Sequence, residues 1–353
     1  HHLTSELIQH HVGSVSKGCS GRAQLCATVG RMRRGRLVSA SAFLWCLIRW
    51  FGQGRHDSTS AFLSGSFPRR HLLSGLLGLS LGTVLDANGG KRARALQGVG
   101  NEYEAVSSVE VVGTNGEARK LGELIDGQGK TVLALLTHFG DFNAWEYAQQ
   151  LKYDLPALER SGASLVVVGI GSAPQARRFA ELLDLPASMQ LYADPRGSAA
   201  LSLGCSRGFG GGTPLNGYAK LLPMLLGIGS PGTLGAVFRG YRGDAASRRD
   251  WVDAALAQGT SQRRFPEGLG AKDWDYLSTE GLRPLELATL RLQNMVDGII
   301  SHWSELAPED DQLLVQQGGT VVFSARTPTY VYRDAGILTY TPIDEVIRAV
   351  RAA

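Results

Sequence analysis

The sequence predicts an α/β fold: a βαβαβ core, a long helical or loop-rich insertion, a closing hairpin and a last helix. Three observations predict it. Residues 130–137 and 164–170 are continuous apolar runs of strand length, as in a sheet buried on both faces. Stretches with helical spacing lie between and after them, and residues 319–323 and 330–332 alternate like a hairpin. With 353 residues, 43% of them hydrophobic and 19% charged, the chain can bury a sizeable core.

Taken in order, Val106, Val109, Val111 and Val112 suggest an edge strand. Thr114-Asn115-Gly116 is a turn signal, with 118–121 as the return strand. Residues 130–137 are the first buried strand. Helical pattern follows over 143–151 and 155–161, with a break expected at Pro156, which lacks an N–H to donate. Then come a strand at 164–170, an amphipathic helix at 174–183 and a strand at 190–193 closed by Asp194-Pro195. Strand, helix, strand, helix implies right-handed parallel crossovers. Residues 205–310 differ in kind and read as an insertion. They hold the flexible loop 208–212, the apolar run 221–226 broken by Pro223, and a polar stretch at 241–278. A helix starting at Pro284 follows, carrying Leu287, Leu290, Met295, Ile299 and Trp303. The run 221–226 is too short to span a membrane and is expected to pack on the sheet or against a protein. A last helix is expected at 342–350.

Charge divides the chain. Residues 1–95 hold 13 Lys and Arg against Glu6, Asp57 and Asp86, whereas 96–353 hold 23 bases against 29 acids, a balance of −6. The overall charge of +4 therefore hides an acidic main body, which argues against nucleic acid as its partner. Cys19, Cys26 and Cys46 also fall in the first part. Cys205 with His138 and His302 is a poor start for a metal site, and no metal or cofactor is expected.

The first 95 residues read as an address. Residues 1–31 show no sustained period and are set aside. A basic stretch from Met32 leads into the apolar 37–48, the layout of a signal peptide over 32–48. A Ser- and Arg-rich, transit-like stretch covers 49–68. Arg69-Arg70, the apolar 72–85 and Ala93-Arg94-Ala95 then resemble a twin-arginine signal over 69–95, with cleavage after Ala95. This layering resembles import into a plastid, ending in the thylakoid lumen, and leaves 96–353 as a mature domain without a stable membrane span. The alternative is that 37–48 or 72–85 forms an anchor or a buried helix.

Four short stretches carry a resemblance to a family. They are His138-Phe139 with Glu146-Tyr147, Leu191-Tyr192-Ala193-Asp194-Pro195, Gln316-Gln317-Gly318-Gly319-Thr320, and Tyr332-Arg333-Asp334. Together with the element order they make residues 103–350 resemble peroxiredoxin-like proteins of the AhpC/TSA group, in particular the plastid and cyanobacterial branch. The resemblance implies a thioredoxin-like fold and an antioxidant, redox function. It also implies a Cys-x-x-Cys at the first strand-to-helix turn, and those two positions fall on Asp141 and Ala144. A carboxylate and a methyl group cannot replace a polarizable thiolate.

Two readings of that turn stay open. Asp141 and Asn143, the latter with Glu146 in a capping-box-like spacing, can cap the helix. Alternatively His138, Asp141, Asn143 and Trp145 form a binding site, with His138, Asp141 and Trp145 as the wall of a small pocket. Cys205 is either an alternative nucleophile beside Arg207 or a small half-buried side chain. His302 reads as a helix-surface or packing residue. The run Gly169-Ile170-Gly171 resembles a dinucleotide fingerprint, but Ser172 with Gln175 explains the turn as a capping box. Two functions follow. One is a non-catalytic pseudoenzyme that binds protein partners as a lumenal scaffold; the other is a thiol peroxidase-type oxidoreductase acting through Cys205 or a partner's thiol.

Overall fold

The computed structural model describes residues 100–242, 248, 250–262 and 286–353. The address over 32–48, 49–68 and 69–95, with Cys19, Cys26 and Cys46, lies outside the described residues. So do Pro284 and most of 241–278.

The elements run α1 (Glu102–Ser107), β1 (Glu110–Gly113), β2 (Ala118–Lys120), α2 (Leu121–Leu124), β3 (Lys130–His138), α3 (Phe142–Arg160), β4 (Ala163–Ile170), α4 (Ala173–Leu183), β5 (Gln190–Asp194) and α5 (Ser198–Ser202). The insertion adds α6 (Gly217–Leu225), α7 (Thr233–Arg242), α8 (Asp250–Ser261), α9 (Glu286–Gln293) and α10 (Trp303–Leu306). The chain closes with β6 (Gly319–Ser324), β7 (Thr327–Arg333) and α11 (Ile343–Ala352). One seven-stranded sheet has the order β2-β1-β5-β4-β3-β6-β7. β3, β4 and β5 are parallel neighbours, whereas β6 is antiparallel to both β3 and β7. The inner order β4-β3-β6-β7, with α3 after β3 and α11 after β7, is a thioredoxin-like arrangement.

Alternation along the strands sends Leu133, Leu135, Val166, Val168, Val321 and Phe323 to one face, where Val106 of α1, Leu121 of α2 and Leu203 beyond α5 cover them. The other face is covered by α3 and α11. Nearly all of β3 and β4 is buried, which is why both read as unbroken apolar runs.

Four local expectations are corrected. Val106 belongs to α1, not to the edge strand; it lies three residues from Val109, a helical spacing, and turns its side chain into the core. Pro156 does not break the helix. α3 runs 19 residues across it, with Pro156 on the exposed side, because Leu151, Leu155 and Leu158 hold the helix to the sheet despite the missing N–H. The late helix is not regular: α9 passes into a π-helical turn at Asn294–Ile299 and a 3₁₀ turn at Ile300–His302. Gly298 in the π turn lies under Trp145, where a Cβ would come within 2.4 Å of the indole ring. The run 221–226 lies in and beyond α6, which packs through Met224 on Val315 and Ile337 and not on the sheet.

Candidate functional site

The strand-to-helix turn is built by a shift in pairing. β3 stays in register with β4 through Leu135, slips, and pairs again at His138 opposite Ile170. Phe139 donates its N–H to the Ile170 carbonyl (3.3 Å) and sends its ring beneath β4, where Gly169 and Gly171 make room. A Cβ on either would fall within 2.7 Å of that ring. These glycines therefore serve packing. Ser172 and Gln175 do form a capping box, with the Ser172 N–H donating to Gln175 Oε1 (2.6 Å).

Asp141 occupies the N-cap of α3, and Trp145 donates its N–H to the Asp141 carbonyl (3.1 Å). Its carboxyl faces the first N–H groups of the helix without closing a cap bond of full hydrogen-bond geometry. Burial pushes that carboxyl up to about 6 and the negative charge of Glu146 adds to the rise; the Thr137 hydroxyl and the N–H groups of Asn143 and Phe142 oppose it. Asn143 is not a cap. Its Oδ1 accepts the Leu338 N–H (2.6 Å) and its Nδ2 donates to the Gly336 carbonyl (3.4 Å), tying α3 to the loop before α11. Glu146 does not complete a capping box either, because both its oxygens accept from Arg291.

His138 is buried edge-on against Trp303, with ring centroids 5.9 Å apart, and its Nδ1 has no hydrogen-bond partner. Desolvation lowers it to about 3, so the imidazole is neutral at any ordinary pH. Trp145 is wholly buried against Phe179 and Gly298, with its indole N–H donating to the Phe139 carbonyl (2.8 Å). It is a core residue with no exposed surface. A cleft of about 630 Å³ opens elsewhere, beside α3 and α11, between Asp154, Arg160, Arg248 and Arg351.

What gathers at the strand end is a buried polar group that sequence reasoning assembled only in part. Asp334, just beyond β7, donates its N–H to the Gly318 carbonyl (3.0 Å), and its Oδ1 has no partner. Burial holds its carboxyl well above the usual range, and the charge of Asp141 adds to this. Tyr147 shares a hydrogen bond with Thr320 (2.7 Å), which also accepts from Thr341 (2.9 Å). The Oε1 of buried Gln317 is likewise unpartnered. Cys205 reaches the same neighbourhood from behind: a Cβ on Gly319 would sit 3.4 Å from its Sγ. The thiol is buried and pushed up to about 12 by desolvation first and then by Asp334, with Arg333 opposing. Asp334 and Gln317 both stand in stretches quoted for the family resemblance. What the sequence did not reveal is that β6 and β7 bring them against the turn.

Chemically, the site holds two carboxyls whose affinity for a proton is raised by burial, a neutral imidazole and a protonated thiol. Among the described residues no three His, Cys, Asp or Glu side chains converge as metal ligands, and no helix is long and apolar enough to cross a membrane.

Residues 150–336 match the profile of the AhpC/TSA antioxidant enzymes, a span that begins inside α3, downstream of the turn. No match is found among curated proteins. Among solved structures the chain is similar to peroxidoxin BcpB from Mycobacterium tuberculosis, at 13% identity and a TM-score of 0.34, over 69% of this chain and 92% of that one. It is also similar to peroxiredoxin Q from Xanthomonas campestris, at 14% identity and a TM-score of 0.25, over 31% of this chain and 65% of that one. With over half its length matched by the family profile, the chain belongs to the AhpC/TSA antioxidant enzyme family.

Proposed function

We propose that this chain is a peroxiredoxin-like protein that has lost its redox thiols and works by binding, as a scaffold for protein partners in the thylakoid lumen of a plastid. The observation that carries the reading is the turn from Thr137 to Ala144. It holds no cysteine, and a half-buried Asp141 stands at the N-cap. A carboxylate there can meet the positive end of α3 but cannot attack a peroxide oxygen or a disulfide sulfur. The lumenal assignment rests on the sequence of residues 32–95 alone.

A second reading keeps thiol chemistry through Cys205 or a partner's cysteine. The family's description as antioxidant enzymes favours it, as does Arg333, whose charge pulls the Cys205 thiol down. Against it stand burial and Asp334, which together hold that thiol near 12 and leave almost no thiolate at neutral pH. Peroxide reduction by the full chain, measured beside Cys205→Ser, separates the two. Binding predicts no turnover in either protein; turnover lost in the variant makes Cys205 the nucleophile. For the location, an N-terminus mapped after Ala95 in protein from thylakoids supports the lumen, and one upstream of Arg69 excludes the twin-arginine route.

A further inference from the structure

The insertion carries a surface that the turn does not use. Leu215, Leu222, Leu226, Ile228, Leu234 and Phe238 are six of the seven large apolar side chains exposed among the described residues, and all fall within 215–238. Phe238 is 66% exposed and Leu226 54%. The last five are neighbours in space. Leu222 and Leu226 are one turn apart along α6, and Leu234 and Phe238 one turn apart along α7. The corner between the helices brings Leu234 within 3.2 Å of where a Cβ on Gly227 would sit, between Leu226 and Ile228. The buried sides point elsewhere: Met224 into its own small core, and Thr233, Ala236 and Gly240 inward. A patch of this kind marks a surface that meets something.

Charge says what it meets. Between Asp194 and Asp244 the sequence contains no acid, although the body as a whole is acidic. The same stretch holds Arg196, Arg207, Lys220, Arg239 and Arg242. Arg239 and Arg242 are exposed on the last turn of α7, next to Phe238, and make no ion pair among the described residues. We propose that this apolar and basic corner of α6 and α7 docks the protein on an anionic lipid bilayer surface. Leu222, Leu226, Ile228, Leu234 and Phe238 enter the interface, and Arg239 and Arg242 lie among the head groups. A second copy of the chain fits less well. A two-fold contact would bring the same arginines of both copies together. The inference is independent of whether the turn binds or reacts.

The test is co-sedimentation of the full chain with vesicles of phosphatidylcholine alone or mixed with phosphatidylglycerol. Binding is expected to need the anionic lipid and to weaken with salt. Leu226→Asp with Phe238→Asp should reduce it by about tenfold or more, while the melting profile stays that of the wild type. Arg239→Glu with Arg242→Glu should remove the preference for anionic vesicles. Equal binding to neutral vesicles overturns the proposal, and so does binding that survives both double variants. Self-association without lipid that is abolished by the apolar double variant makes the patch a contact between copies, and also overturns it.

Discussion

Glu146 and Arg291 form a buried, two-pronged ion pair, with Nε to Oε1 at 2.6 Å and Nη2 to Oε2 at 3.1 Å, that joins the helix after the turn to the inserted helices. Around it, the Tyr340 hydroxyl donates to Glu146 (2.8 Å), Arg291 donates to the Ala236 carbonyl (3.1 Å), and the amides of Gln149 and Asn294 bond each other twice. The insertion is thus keyed to α3 by a satisfied polar network and not by apolar contact alone. Removing one partner leaves a desolvated charge. Arg291→Ala or Glu146→Ala should each cost about 3–5 kcal/mol in urea unfolding. The double substitution to apolar residues of similar volume should recover much of that loss. Costs near zero for the single variants would show that the pair is solvated.

The two ionisable groups at the turn should bend stability against pH in opposite senses. His138 is held neutral down to about 3 in the fold, against 6.5 in an open chain. Between those values the unfolded state binds the extra proton, so stability rises with pH across the window. From pH 7 to pH 4 the wild type should lose about 3 kcal/mol through this group, and His138→Leu should escape that loss. Asp141, raised from 3.8 to about 6, is the reverse. Here the folded state holds the proton, so its contribution falls as pH rises through that window, and Asp141→Asn removes that slope. Denaturation midpoints of the three proteins at four or so pH values decide it; parallel curves would put both side chains in water.

Gly298→Ala should cost about 1–3 kcal/mol, because the added methyl meets the Trp145 ring and neither has room to move. Trp145→Phe is itself costly, since it loses the bond to the Phe139 carbonyl, but it shortens the ring that Gly298 faces. A double-mutant cycle should therefore give a coupling of about 0.5–3 kcal/mol. Simple additivity would place the π turn away from Trp145.

The central strands were legible in the sequence because β3 and β4 are buried on both faces, which needs apolar residues at consecutive positions. Asn143 and Glu146 misled for a related reason. Their spacing is that of a cap, yet their partners, Leu338 and Arg291, lie far along the chain, where no local pattern reaches. Pro156 misled because tertiary burial outweighs propensity. Asp334 was visible as a residue but not as a neighbour of Asp141, since only the pairing of β6 with β3 and β7 brings the C-terminal ends of β3 and β7 to the same end of the sheet.

Placing two thiols at positions 141 and 144 tests the placement of the turn. Position 141 is the N-cap of α3 and position 144 lies three residues on, in the first helical turn, which is the spacing that lets a Cys-x-x-Cys close. Asp141→Cys with Ala144→Cys should therefore form an internal disulfide under a mild oxidant, seen by mass as the loss of two hydrogens that a reductant restores. Ala144 is fully buried, so the new pair should be shielded from alkylation in the folded state more than a surface dithiol. Reactivity is a separate matter. Asp334, whose Oδ1 has no partner, interacts with position 141 as well as with Cys205, and its negative charge would oppose a thiolate there, just as it raises Cys205. Adding Asp334→Asn should lower the pKa of the engineered thiol and speed its alkylation. A dithiol that never closes would move the turn off the thioredoxin-like pattern, and one that Asp334→Asn leaves unchanged would uncouple β7 from the site.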